Sequence, residues 1–388
     1  MSKRSSTEEE ILDFSACQAR ASSELTEDEE ILDFSQVAQP PPRPELSPEQ
    51  ALVRDNVGNT LVIAAPGAGK TEILIQRHER LEAAGLKCLS LTFTVAAANE
   101  IRRRIPGAEA STIHAFCFKQ CGYEWKGNYP SLLSQYVLQD ARESYDEVLV
   151  DEAQNLSPLM LATVKAIPKA SLFAVGDPYQ SCYIGSWAGA SSAGVGSSKG
   201  PVWDGPALGK RAFERLSETC KVMEIKGNRR SGSGVVKLLE TLNSRDLVPL
   251  GPKKLNRSLI TARTHRRLEE ASELLQRAGI AHLLFNRRDS EGTKYKVVGN
   301  HPLVDLMVLH QMIGTEYRNA YILDWSRPYS SSIEDEVEAF NLLYTAAARA
   351  SEYVFTVDRT PSGMCSWLPP EVDIPFEEML DRLSSEAV

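Results

Sequence analysis

Residues 61–71 read LVIAAPGAGKT: an apolar, partly β-branched run, a glycine-bearing turn, then Lys-Thr at the head of an amphipathic stretch. No other segment constrains the fold as tightly. The run predicts a buried strand. Gly67 and Gly69 let the backbone after it turn so that successive N–H groups converge on an anion. A helix starting near Lys70 adds the positive end of its dipole. Ala65, Pro66, Gly67, Ala68, Gly69, Lys70 and Thr71 then form a phosphate cradle. In it Lys70 bridges the β- and γ-phosphates of ATP and the Thr71 hydroxyl holds Mg²⁺. Ala64 stands where the usual pattern has its first Gly. By itself the segment also fits a glycine turn in an ordinary α/β core.

Strands and helices alternate from residue 46 onward. Apolar runs at 60–64, 88–92, 147–150 and 171–175 alternate with helical patterns at 70–83, 96–104 and 158–167. This alternation implies a parallel sheet covered by helices on both faces. A Gly/Ser-rich stretch at 188–206 reads as a linker. A second series follows, with strands expected near 221–225, 258–261, 305–309, 320–323 and 353–357. At 388 residues the chain is long enough for two core-bearing domains. The expected layout is an acidic tail at 1–45, a first α/β domain at 46–187, the linker at 188–206, a second α/β domain at 207–365, and a tail or amphipathic helix at 366–388.

Two further segments place carboxylates and an amide at strand ends. EVLVDEAQN at 147–155 brings Asp151 and Glu152 to the C-terminal edge of a parallel sheet, where open α/β folds bind ligands. Asp151 suits Mg²⁺, and Glu152 suits polarisation of an attacking water. The competing reading is a pair of acids capping the next helix. VGDPYQ at 175–180 follows another apolar strand and aims Gln180 at a γ-phosphate.

Composition excludes several classes. Hydrophobic content of 42% and charged content of 24% are those of a globular protein. No run of about eighteen apolar residues indicates a membrane span, and the acidic N-terminus lacks a signal-peptide pattern. Seven cysteines show no paired CxxC spacing, and His114, Cys117 and Cys121 lack a fourth ligand at finger spacing. Reduced thiols and a cytoplasmic location are expected. The formal net charge of −9 is concentrated at the ends. Residues 1–45 carry eleven acids against four bases, and residues 366–388 six against one. The part between is mildly basic, compatible with a polyanion groove.

The order APGAGKT, LTFTVAAANEIRRRI, STIHAFC, VLVDEAQN, FAVGDPYQSCY, KGNRRS, LHQMIGTEY and LLYTAAARA resembles superfamily 1 DNA helicases of the UvrD/Rep type, from residue 46 to 357. The resemblance implies tandem RecA-like P-loop domains with parallel sheets. It implies an ATP-dependent translocase or helicase on single-stranded DNA in replication, repair or recombination, with 3′→5′ polarity. Gln50 resembles the glutamine that reads adenine, Glu316 the acid that contacts ribose, and Arg230 and Arg349 the two arginine fingers. Lys70, Thr71, Asp151, Glu152 and Gln180 match the hydrolytic set. Phe93, Thr94, Thr112, His114, Tyr183 and Trp187 fall in segments that line the family's single-strand groove, where aromatics stack on bases.

Several positions depart from the family pattern. Val95-Ala96 replace Asn-Lys, and Ile313 replaces Lys. Ala348 replaces Thr, Ala188 an Arg, Arg229 the adenine-stacking Tyr, and Glu72 an Arg. Only about 32 residues separate His114 from Asp146, and roughly 20 separate Phe285 from Leu306. The family's large insertion subdomains are thus expected to be lacking or rudimentary, as in compact viral and phage-type members. The departures leave room for an ATP-switched nucleic-acid-binding scaffold without unwinding, or for an RNA substrate.

The acidic first 45 residues repeat EEEILDFS and DEEILDFS at positions 8 and 28. So few apolar residues cannot bury a core. The duplicated ILDF element reads as a bivalent docking motif for a replication or repair protein, as an occupant of the chain's own groove, or as a solubilising tail. At 375–383, Phe376, Met379, Leu380 and Leu383 share one helical face.

Overall fold

The apolar run at Thr60–Ala64 does form a strand, β1, because its β-branched residues favour extended backbone and both its faces are covered. The computed structural model describes residues 44–122, 129–139, 142–181, 213–243, 245–262, 264–289, 292–308, 311–312, 314–324, 333–357 and 372–386. The ILDF repeats, the 188–206 stretch, Tyr183, Trp187, Ala188 and Ile313 lie outside the described residues.

The fold is α/β, with two sheets built on parallel pairings. In the first, β1 is joined by β2 (Cys88–Thr92), β3 (Ala110–Thr112), β4 (Tyr145–Val150), β5 (Lys169–Gly176) and β6 (Lys221–Ile225) in the order β3-β2-β4-β5-β1-β6. Every pairing in it is parallel. Successive residues alternate between its two faces, as the pleat requires. Val62, Leu149, Phe173 and Val175 enter one buried cluster, and Leu61, Val148, Val150 and Ala174 enter another. Helices α1 (Pro48–Arg54), α2 (Lys70–Ala83) and α3 (Val95–Arg104) precede β3, and α4 (Ile113–Cys121), α5 (Tyr129–Leu138) and α6 (Pro158–Ala166) follow it.

One strand falls elsewhere than expected. The strand expected to open the second series, β6, is the edge of the first sheet. It pairs with β1 from Thr60 with Lys221 to Ala64 with Ile225. Its alternation carried no information about which sheet it would join. The consequence is direct: β6 brings its C-terminal end to the phosphate loop, where Ala65 N donates to Ile225 O at 3.0 Å. In the 114–146 interval, α5 buries Leu132, Leu133 and Tyr136 in the core beneath the first sheet. This interval therefore contributes to the core.

A short pair, β7 (Gly227–Asn228) with β8 (Val248–Pro249), flanks α7 (Ser233–Asn243). The second sheet comprises β9 (Ser258–Ala262), β10 (His282–Asp289), β11 (Gly292–Val298), β12 (Val304–Val308), β13 (Tyr317–Leu323), β14 (Ala350–Val357) and β15 (Asp373–Ile374), in the order β11-β10-β12-β9-β13-β14-β15. It is parallel from β10 to β15. Leu259, Met307, Ala320 and Ile322 join the same buried cluster as Val62 and Phe173. Glu45–Asn286 and Tyr295–Val388 accordingly form one compact unit. On the other face, α8 (His265–Arg277) packs beside a C-terminal helix, α10 (Phe376–Glu386). Phe376, Met379 and Leu383 of α10 are buried there. Helix α9 (Ile333–Ala347) leads into β14. Among the described residues no helix is long and apolar enough to cross a membrane.

Candidate nucleotide site

Strands β4, β5 and β1 are neighbours, so their C-terminal ends bring Asp151, Asp177 and the phosphate loop to one edge. Gly67 and Gly69 both adopt left-handed backbone, with φ of 69° and 78°. Gly69 also caps α2 without a side-chain acceptor, which leaves the first N–H groups of that helix available to an anion. A Cβ at Gly67 would come within 2.7 Å of both Arg230 Cβ and Asn228 Oδ1. Only glycine lets the loop lie this close to the segment after β6, where Arg229 N donates to Gly67 O at 3.0 Å. β6 is thus what delivers Arg230 to the loop.

Lys70 Nζ lies 3.4 Å from Ala64 O and 3.5 Å from Ala65 O. Burial lowers its pKa, opposed by the negative charges of Glu152 and Asp177. Thr71 donates its hydroxyl to Asp151 Oδ2 at 3.2 Å, and Asp151 Oδ1 accepts from Glu152 N at 2.9 Å. Burial and the neighbouring Glu152 push Asp151 up, against the pull of Lys70. A hydroxyl beside a buried carboxylate is an all-oxygen donor set that fits a hard divalent cation such as Mg²⁺. Glu152 sits in left-handed backbone at φ 53° and makes no side-chain cap for the short 3₁₀ turn Ala153–Asn155. Its carboxylate instead accepts from the Gln154 amide. The helix-capping alternative for this acid pair is not what the structure shows.

The remaining expected residues are engaged within the chain. Gln50 is buried in a capping box at the start of α1. Its Oε1 accepts from Ser47 N at 2.8 Å, and its Nε2 donates to Ala68 O at 2.7 Å. Arg230 donates through Nη2 to Glu316 Oε1 at 2.7 Å and through Nη1 to Ala348 O at 2.6 Å. Burial would raise the Glu316 carboxyl, but Arg230 and Lys253 prevail and hold it at about 2. Arg349, buried between α9 and β14, donates to Thr345 O at 3.2 Å and to Gln180 Oε1. Gln180 in turn donates to Asp177 Oδ2 at 2.9 Å. Lys70, Thr71, Asp151, Glu152, Gln180, Arg230, Arg349 and Glu316 therefore converge, with Gln50 behind the loop.

The expected groove residues behave differently. Thr94 and Thr112 hydroxyls cap α3 and α4, each accepting from a backbone N–H at 3.2 Å. His114 is held below its usual pKa by burial, and Phe93 packs against the cluster beneath the first sheet. Val95 is exposed at the head of α3. Glu72 forms a half-buried ion pair with Arg104. Sequence reasoning missed Asp177, Arg245 and Tyr344. Asp177 lay inside the quoted VGDPYQ segment, whereas neither Arg245 nor Tyr344 had been given a role.

Residues 49–186 match the AAA domain family. No curated protein matches the chain. Solved structures that it resembles include arterivirus nonstructural protein 10, a helicase, at 14% identity and TM-score 0.41 over 82% of this chain and 63% of that one. A second is the PRRSV helicase, at 13% identity and TM-score 0.39 over 79% and 54%. A third is the Pif1 helicase from Bacteroides in complex with ADP-AlF3 and ssDNA, at 12% identity and TM-score 0.41 over 88% and 97%. The chain spans less than two thirds of the length of the two viral helicases.

Proposed function

We propose that the chain is an ATP-driven motor on single-stranded DNA, a translocase or helicase of the UvrD/Rep type with 3′→5′ polarity. ATP is hydrolysed between the phosphate loop and the segments that carry Arg230 and Arg349. The observation that carries this is the convergence of a glycine-built anion cradle, the Thr71–Asp151 contact and two arginines from beyond β6.

Each residue has a chemical task on this reading. Lys70 and the N–H groups at the head of α2 take the phosphates. Thr71 and Asp151 would hold Mg²⁺, which supplies charge neutralisation at the phosphates when bound. Glu152 accepts a proton from the attacking water. Arg230 and Arg349 stabilise the charge that builds on the transferring group. Both belong to chain beyond β6, so turnover is tied to how that chain meets the first sheet. The mildly basic middle of the chain supports a nucleic-acid track, and the ILDF repeats are proposed to dock a replication or repair protein.

The test is steady-state ATPase with and without single-stranded DNA. Wild-type turnover should rise with the polynucleotide. Glu152→Gln should keep nucleotide binding and lose turnover by about 10²–10⁴-fold, whereas Lys70→Ala should lose both. Absence of turnover with and without any polynucleotide rejects the proposal. Robust ATPase without strand displacement would instead support the ATP-switched scaffold. A competition between DNA and RNA oligomers of one sequence decides the substrate.

A further inference from the structure

Asp177 directly follows β5 with its side chain wholly buried, and the motor reading gives it no task. Its carboxylate accepts four hydrogen bonds. Tyr179 N at 3.2 Å and Arg245 Nη1 at 3.1 Å reach Oδ1. Gln180 Nε2 at 2.9 Å and the Tyr344 hydroxyl at 3.3 Å reach Oδ2. Two of these donors come from chain beyond β6. Arg245 lies between α7 and β8, and Tyr344 lies on α9. The second terminal nitrogen of Arg245 is held by Glu224 of β6 at 3.1 Å, and its guanidinium lies over the Tyr179 ring at 5.8 Å.

This arrangement fixes an orientation. An ionised carboxylate only accepts, whereas an amide presents a donor on one side and an acceptor on the other. With Asp177 on one side, Gln180 must turn its Nε2 inward, which points Oε1 at Arg349 Nη2. A flipped amide would set its oxygen against the carboxylate and its NH₂ against the guanidinium. Asp177 thus dictates the face that Gln180 shows to Arg349. Arg245 sets a positive charge against this buried carboxylate and spans it and Glu224 with a planar fork that a lysine cannot reproduce. These contacts exist only when α9 and the Arg245 segment sit on the end of β5.

We infer that Arg245, Asp177 and Tyr344 are positioning residues for ATP hydrolysis, orienting the Gln180 amide and through it the Arg349 guanidinium. The inference rests on the ATPase reading above and adds what aims its second arginine.

The experiment is a double-mutant cycle on the full chain, reading kcat for ATP and, separately, the affinity for a non-hydrolysable ATP analogue. Arg245→Gln should lower kcat by about tenfold while analogue affinity moves by less than about threefold. Arg245→Lys should recover only part of the loss. Added to Gln180→Ala, Arg245→Gln should cost less than about twofold more, because both changes act through one amide. Tyr344→Phe, which removes a single hydroxyl, should lower kcat by about threefold and lose its effect in the Gln180→Ala background. It decides the matter if thermal melting shows Arg245→Gln to be unfolded. Losses that multiply, or analogue affinity that falls as far as kcat, overturn the inference and leave the ATPase reading standing. A wild-type chain without turnover overturns both.

Discussion

Replacing Glu147 by Gln is expected to remove about 3 kcal/mol of stability. Glu147 on β4 and Arg77 on α2 are 4% and 5% exposed and pair through both ends of the guanidinium, with Nη2 to Oε2 at 2.9 Å. Ser171 Oγ donates to the same carboxylate at 2.9 Å. Removing one member of a buried pair leaves an uncompensated charge, a loss of about 3–5 kcal/mol. The low end applies because Arg77 keeps Asn56 O at 2.8 Å, Arg54 O, and the Phe173 ring face at 4.3 Å. On the proposed reading the pair sits where it matters for nucleotide binding. Arg77 follows Thr71 along α2, and Glu147 precedes Asp151 along β4, so the pair sets the helix against the strand behind the Thr71–Asp151 contact. Nucleotide affinity should fall with stability. The double replacement Arg77→Met with Glu147→Leu removes both charges and should cost less than about 1.5 kcal/mol. Urea unfolding followed by circular dichroism gives both values from the midpoint at constant slope. The reasoning fails if the single variant loses less than about 1 kcal/mol, or if the double variant loses more than the single one.

The ion pair at Glu316 predicts an acid-side loss of stability. Its folded carboxyl is held at about 2 against an ordinary 4.5, so on acidification the unfolded chain takes up the proton first. The contribution is complete above 4.5 and disappears as pH falls toward 2, and Glu316→Gln should flatten that part of the stability–pH curve. Deleting residues 1–45 should leave the ATPase of the isolated chain unchanged if the ILDF repeats dock a partner. Tighter DNA binding and faster turnover at low salt would instead identify them as occupants of the chain's own groove.

What the sequence made legible was local. Thr60–Ala64, Cys88–Thr92 and Lys70–Ala83 could be bounded to the residue, because each is an apolar or amphipathic run ended by turn chemistry. The phosphate loop was legible for the same reason, since Gly67 and Gly69 have few uses other than positive φ and close approach. Partnership at a distance was not legible. Lys221–Ile225 has the pattern of a strand, but the pattern does not say whether its neighbour will be β1 or β9. Gln50 looked free to read a base, yet Ser47 three residues earlier marks a capping box that uses its oxygen. The LSPEQ segment carries that capping signal. Arg245 stands in a loop without a motif, 68 residues from Asp177. Its place beside the buried Asp177 carboxylate is set by tertiary contact, which spacing cannot reveal.

The two arginines of the site are held by partners that differ in access to water, and this difference orders what an arriving triphosphate can displace. Arg230 pairs with Glu316, whose side chain is 29% exposed and shared with Lys253. Water and Lys253 can serve that carboxylate once Arg230 leaves, so exchanging it for a phosphate oxygen costs less than stripping a fully buried partner would, even though Arg230 also gives up Ala348 O. Arg349 and Gln180 are each 4% exposed, and Asp177 beneath them is 0% exposed. No water is at hand to replace a donor lost there, and the loss would leave a buried polar group unpaired. On the proposed reading, Arg230 is therefore the arginine that changes partner when nucleotide binds. Arg349 is held from below by Gln180 and Asp177 and meets the phosphate as a fixed charge. A motor whose second arginine is preorganised in this way gains its transition-state stabilisation without reorganising that group at each turnover.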